Sequence, residues 1–275
     1  MMKTKASVVA LAATTTLVLA GCGGAGSTSS GGTGGGDAIT VGIKFDQPGL
    51  GLRKGSEYTG FDVDVARYVA KELGKTPNFK EAPTPQREQL IESGQISYMV
   101  GTYSITDARK QKVDFAGPYF IAGQDLLVRS DDTAITGPDS LPGKKLCSVK
   151  GSTPAQNVQK NFPGVQLQEY DTYSKCVEEL AAKTVDAMTT DNVILAGFAA
   201  QEQYKGKLKV VGKPFSTENY GVGLKKGDTQ LCQKITDALK KMISSGEWKK
   251  SIDANLGPSG FTPDSRNPPT PASCA

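Results

Sequence analysis

A chain of 275 residues is longer than one ordinary domain and suits two bodies of roughly 100 residues each. Its 32 basic and 28 acidic residues leave a net charge of +4, too small and too evenly spread to argue for a nucleic-acid partner or a polybasic membrane surface. There is no histidine, which excludes a His-based hydrolase triad and a His-ligated zinc site; no metal and no cofactor is expected.

In chain order, residues 1–21 read as an export leader: Lys3 and Lys5, then apolar-leaning residues 6–20, too short and too threonine-interrupted for a membrane span. Leu19-Ala20-Gly21-Cys22 resembles a bacterial lipobox, a class in which cleavage precedes the cysteine and the cysteine is diacylated. Residues 22–37 then form a lipid-anchored flexible tether, almost wholly Gly, Ser, Thr and Ala after Cys22. Four further cysteines, Cys147, Cys176, Cys232 and Cys274, are an even set that an exported protein keeps as disulfides, with three pairings open.

Residues 39–45 are predicted as a strand, with Lys44 at the carboxyl edge where open α/β sheets bind ligands. Phe61, Val65, Val69 and Leu73 recur every four residues and predict a core helix, its first turn holding Asp62 and Asp64 in structural roles. Residues 76–81 form a second strand. Thr84 and Pro85 then read as the cap and first residue of a helix with Arg87 at its third position. Residues 96–100 are a short strand, and Thr106 caps a helix beginning at Asp107 with Arg109 third. A cation at the positive end of a helix is locally unfavourable and makes sense if an anion is held there.

The second half alternates strand and helix. Residues 145–149 are a strand, and Lys150-Gly151-Ser152-Thr153-Pro154 is a turn in which Thr153 caps a helix and Pro154 begins it, a cradle suited to an anion. Residues 166–170 form a strand, 174–183 a helix and 185–190 a strand ending at Asp191, which can cap the helix over 192–201. A strand at 207–211, helices at 229–245 and 248–256, and a Pro- and Ser-rich tail complete the chain.

The run over residues 60–73 fits the signature pattern of the family 3 extracellular solute-binding proteins, the amino-acid receptors of ABC importers. Residues 100–109 resemble that family's arginine loop, and the resemblance covers nearly the whole chain after Gly36. It implies an α/β, two-lobed, periplasmic-binding-protein-like type II fold with two hinge-crossing strands. The first lobe comprises 38–118 and 222–258, the second 123–216, and 259–275 is a C-terminal tail. Of the favoured disulfides, Cys147–Cys176 then falls within the second lobe and Cys232–Cys274 holds the tail to the first.

The resemblance further implies that Arg109 grips a ligand α-carboxylate beside Thr102 and Ser104, that Ser152 and Thr153 complete that site from the second lobe, and that Asp191 receives the α-ammonium. Arg87, Lys44 and Lys150, with Thr84 alongside, provide for a side-chain carboxylate. The chain looks most like the glutamate receptors of Gram-positive importers, with aspartate, glutamine and asparagine as alternative ligands. The expected protein is a monomer, not an enzyme, lipid-anchored on the outer face of the cell membrane and partnered by permease subunits. A dehydratase-type enzyme and a sensory lipoprotein on the same fold are the competing classes.

Overall fold

The computed structural model describes residues 38–272 and 274; the leader, Cys22 and the tether lie outside them. The first lobe opens with β1 (Ala38–Ile43), a small antiparallel sheet of β2 (Asp46–Gln47), β3 (Gly51–Lys54) and β4 (Glu57–Thr59), and helix α1 (Phe61–Glu72). It continues through β5 (Thr76–Glu81), α2 (Arg87–Glu92), β6 (Tyr98–Val100), α3 (Asp107–Lys110) and β7 (Val113–Ala122). The second lobe contains β8 (Gln124–Arg129), β9 (Lys145–Val149), α4 (Thr153–Asn161), β10 (Gln166–Tyr170), α5 (Tyr173–Ala181), β11 (Ala187–Asp191), α6 (Asn192–Ala199) and β12 (Leu208–Val210). The chain then returns to the first sheet as β13 (Glu218–Lys225) and closes with α7 (Thr229–Ser244) and α8 (Glu247–Asn255).

Two five-stranded sheets result, ordered β5-β1-β6-β13-β7 and β10-β9-β11-β8-β12. In the first, β1 runs parallel to β5 and β6, so Lys44 and Gly101 leave from the same edge; in the second, β9 runs parallel to β10 and β11, so Lys150 and Asp191 share the other. The chain changes sheet at Gly123 and returns before Glu218, which gives the two crossings.

The stripe on α1 packs as its spacing dictates: Phe61, Val65 and Val69 are fully buried, and the Phe61 ring meets Tyr119, Phe120 and Trp248 with centroids 5.7–6.0 Å apart. Asp62 and Asp64 hold structure: Asp62 accepts from Tyr119 Oη and the Thr102 amide, Asp64 from Ser251 and Asn255. Cys147 is bonded to Cys176 and Cys232 to Cys274, with Cα atoms 5.6 and 6.0 Å apart. The tail lies along β7. Asn267 both donates to the carbonyl and accepts from the amide of Ile121, at 2.8 Å each, and Ala272 donates to the Gly117 carbonyl at 2.9 Å.

Candidate ligand site between the lobes

Three backbone features prepare the first-lobe wall. Gly101 makes room for the Lys44 stem, since a Cβ there would stand 2.8 Å from Lys44 Cγ. Thr102 follows with φ +44°, a left-handed conformation disfavoured for a threonine, and is held there by the Asp62 carboxylate on its amide (2.9 Å) and by Gln47 on its hydroxyl (3.2 Å). Thr106 caps α3 through the Arg109 amide at 3.3 Å, which fixes where Arg109 leaves the backbone. At four residues α3 carries little macrodipole, so the guanidinium fork, rather than the helix end, dominates the local electrostatics.

Arg109 is buried. Its Nη1 donates to the Ser104 carbonyl (2.8 Å), Nη2 reaches across to the Gly151 carbonyl of the second lobe (3.3 Å), and Nε lies 3.6 Å from Glu88 Oε1. Arg87 stands beside it, its guanidinium 3.9 Å from the centroid of the Tyr103 ring, over which Arg109 also lies at 5.1 Å. Glu88 answers both cations and accepts the Tyr103 hydroxyl at 2.8 Å. Burial and the neighbouring Arg87 charge pull the Arg109 pKa down to about 10, which leaves it cationic at neutral pH. Lys44 is 1 % exposed and donates to Thr84 Oγ1 at 3.2 Å, with Asp46 at 3.9 Å; burial lowers its pKa, the Asp46 charge opposes that, and Arg87 adds to it.

The second-lobe wall is built from the ends of β9 and β11. Ser152 caps α4 by accepting from the Ala155 amide at 3.1 Å, which frees Thr153 to face the first lobe. Thr153 donates to Glu218 Oε2 (3.0 Å) and stands 3.2 Å from the Ser104 hydroxyl. Asp191 occupies the cap position of α6 but makes no side-chain cap; instead Oδ2 accepts the Tyr220 hydroxyl at 2.6 Å. Burial pushes the Asp191 carboxyl well above the ordinary carboxylate range and the Glu218 charge adds to it, while the Tyr220 bond, Arg109 and Arg87 act the other way.

Nine of the ten expected ligand residues (Arg109, Asp191, Thr102, Ser104, Ser152, Thr153, Arg87, Lys44 and Thr84) are therefore buried along the facing sheet edges or in intermediate positions beside them. Four local expectations are corrected. Lys150 is exposed, unlike the buried groups of this network, and its amide donates to the Tyr170 carbonyl. The α4 cap is Ser152, one residue earlier than the Pro154 signal indicated, and its hydroxyl is committed to its own helix. Thr84 opens a 3-10 turn without a side-chain cap and serves Lys44 instead, so Arg87 heads α2 and is not its third residue.

The sequence reading passed over Glu88, Tyr103, Glu218 and Tyr220. The last two carried a signal, because alternate residues on a crossing strand share a face and Glu218 and Tyr220 are two apart. Among the described residues, buried side-chain atoms without a hydrogen-bond partner include Arg87 Nε, Asp191 Oδ1 and Asp46 Oδ1. A cationic end and an anionic end thus face one groove, each with polar capacity left over.

Two α/β lobes linked by two crossings, with a guanidinium cluster facing a buried carboxylate, define a two-lobed solute-binding protein. The chain belongs to the bacterial extracellular solute-binding proteins, family 3, whose family model matches residues 39–258. It is 46% identical over 233 residues to a glutamate-binding protein, GluB, of Corynebacterium efficiens, covering 80% of this chain and 79% of that one. It is 37% identical over 217 residues to the ABC transporter glutamine-binding protein GlnH of Bacillus subtilis, covering 77% and 78%. Among solved structures, an ancestral arginine-binding protein bound to glutamine is similar with a TM-score of 0.75 at 34% identity, over 80% of this chain and 98% of that one. Among the described residues no helix is long and apolar enough to cross a membrane.

Proposed function

We propose that this protein captures glutamate in the groove between its lobes and delivers it to the permease of an ABC importer. Arg109 takes the α-carboxylate, with Thr102 and Ser104 beside it and Ser152 and Thr153 opposite. Asp191 takes the α-ammonium, and Lys44, Thr84 and Arg87 take the side-chain carboxylate. The observation that carries this reading is the opposition of Asp191, with one buried oxygen unpartnered, to three cations of which an α-carboxylate needs only one. Glu88 and Asp46 stand 3.6–3.9 Å from these cations, and a second ligand carboxylate adds a further counter-charge, which favours glutamate over glutamine or asparagine; aspartate carries the same charges on a shorter chain. The names of the relatives, glutamate-binding and glutamine-binding, support the same ligand class.

The moving bodies are residues 38–118 with 222–258, and 123–216, hinged at the two crossings. Cys22 is the lipid attachment point, residues 22–37 are the tether, and the protein works as a monomer at the outer membrane face, with no cofactor. Calorimetric titration against the twenty amino acids tests the ligand. One-site binding strongest for glutamate is expected, and no heat with either acidic amino acid would refute the reading.

A further inference from the structure

Asp46 belongs to the first lobe, yet its carboxylate is used by the second. Oδ2 accepts the backbone amides of Tyr173 at 2.8 Å and Ser174 at 3.3 Å, the first two residues of α5. The helix's own cap, Thr172, accepts from Lys175 at 3.3 Å, so the amides left at this helix end are those that Asp46 meets. A carboxylate suits the place: it only accepts, and it faces the positive end of a nine-residue helix. Asp46 is 7 % exposed, and its other oxygen has no hydrogen-bond partner among the described residues and lies 3.9 Å from Lys44 Nζ.

This contact differs in kind from the other links between the lobes. Arg109 to Gly151, Ser104 to Thr153, Thr153 to Glu218 and Tyr220 to Asp191 each include a residue assigned to the ligand itself. Asp46 and the start of α5 have no such assignment. When the lobes part, the two amides and the carboxylate all pass to water, so opening strands no buried polar group; the bonds exist only in the closed form. A contact of that kind lowers the closed state against the open one without changing how the ligand first lands. Because a trapped ligand leaves only through the open form, its effect falls on the exit rate.

We propose that Asp46 is a closure latch, a positioning residue that holds the second lobe onto the first by capping α5 across the groove. The proposal rests on the groove being the amino-acid site. Stopped-flow binding of L-glutamate to the wild-type chain, Asp46→Asn and Asp46→Glu tests it, with the melting temperature of each ligand-free protein as the folding control. Asp46→Asn is expected to raise the dissociation rate about tenfold, to leave association within about twofold, and to leave the ligand-free protein folded, with a single melting transition. Asp46→Glu, which keeps the charge within reach of the helix end, recovers part of the slow exit. An unchanged dissociation rate overturns the latch, and so does slower association at constant dissociation, which would put Asp46 in the first encounter. If the wild-type protein takes up no amino acid, the functional reading fails by itself. The latch is then read from X-ray scattering of the ligand-free chains, where Asp46→Asn is expected to be the more extended and equal radii overturn it.

Discussion

The Tyr220 hydroxyl donates to Asp191 Oδ2 at 2.6 Å, joining a strand of the first sheet to the last strand residue before α6 in the second, and Asp191 Oδ1 has no partner. The bond fixes the rotamer of a carboxyl whose ionised form is penalised by burial and by Glu218. Free protein therefore holds the Asp191 proton to higher pH than an ordinary aspartate does, and an α-ammonium group bound there favours the ionised form. Binding should release a proton below the raised pKa, so affinity rises with pH through that window and levels off above it. Calorimetry in two buffers of different ionisation enthalpy measures the proton count; Asp191→Asn should abolish both the proton release and the binding.

Arg109→Ala should weaken binding at least about 100-fold, because it leaves the ligand carboxylate buried beside Glu88 without its main cation. Arg109→Lys restores the charge but not the two-pronged reach to Ser104 and Gly151, and a loss of about tenfold is expected. Equilibrium titration of both variants gives the comparison.

Arg87 separates stability from binding. Its charge works against that of Arg109, and its Nε has no hydrogen bond though it lies 3.8 Å from Glu88 Oε1, so Arg87→Met removes a buried repulsion at the cost of that ion pair and of the stack on Tyr103. The melting temperature should move by no more than the equivalent of about 1 kcal/mol in either direction. Glutamate affinity should fall about tenfold or more while glutamine affinity changes less, which parallel thermal and binding measurements check.

Asp62 gives a pH signature in the fold itself. Burial raises its carboxyl to about 6, against the lowering effect of the Tyr119 and Thr102 bonds. The unfolded chain gives up this proton near the ordinary aspartate value of 3.8 and the folded chain near 6, so the folded state binds more protons between them. Its contribution therefore diminishes as pH rises through that window, by at most about 3 kcal/mol. Denaturant melts of Asp62→Asn should lack that part of the wild-type pH profile.

The two disulfides close loops with sequence separations of 29 and 42. On the chain-entropy account each contributes about 4 kcal/mol. Cys232→Ser should therefore lower stability by roughly 2–4 kcal/mol in denaturant melts, and it also frees the end of the tail.

What the sequence made legible was local. The α1 stripe, the Thr106 cap and the position of Arg109 follow from residues within one or two turns, and each forms as its spacing requires. The cap of α4 slipped by one residue because proline is tolerated in either of the first two helical positions, so the Pro154 signal does not separate Ser152 from Thr153. Thr84 escaped because its partner Lys44 is forty residues away on another strand. The same holds for Tyr220 on Asp191 and for Asp46 on α5: these are set by how two sheets face each other, which no local pattern encodes.

β7 is the last strand of its sheet, and its outer ladder is occupied by Asn267 and Ala272. A shortened chain ending at residue 258, where the family match stops, would leave those backbone groups bare, a ready template for a second molecule to pair with. Such a truncation should keep the amino-acid groove and still self-associate, which size-exclusion chromatography measures; the tail would then guard solubility from a strand edge that carries none of the groove side chains named above.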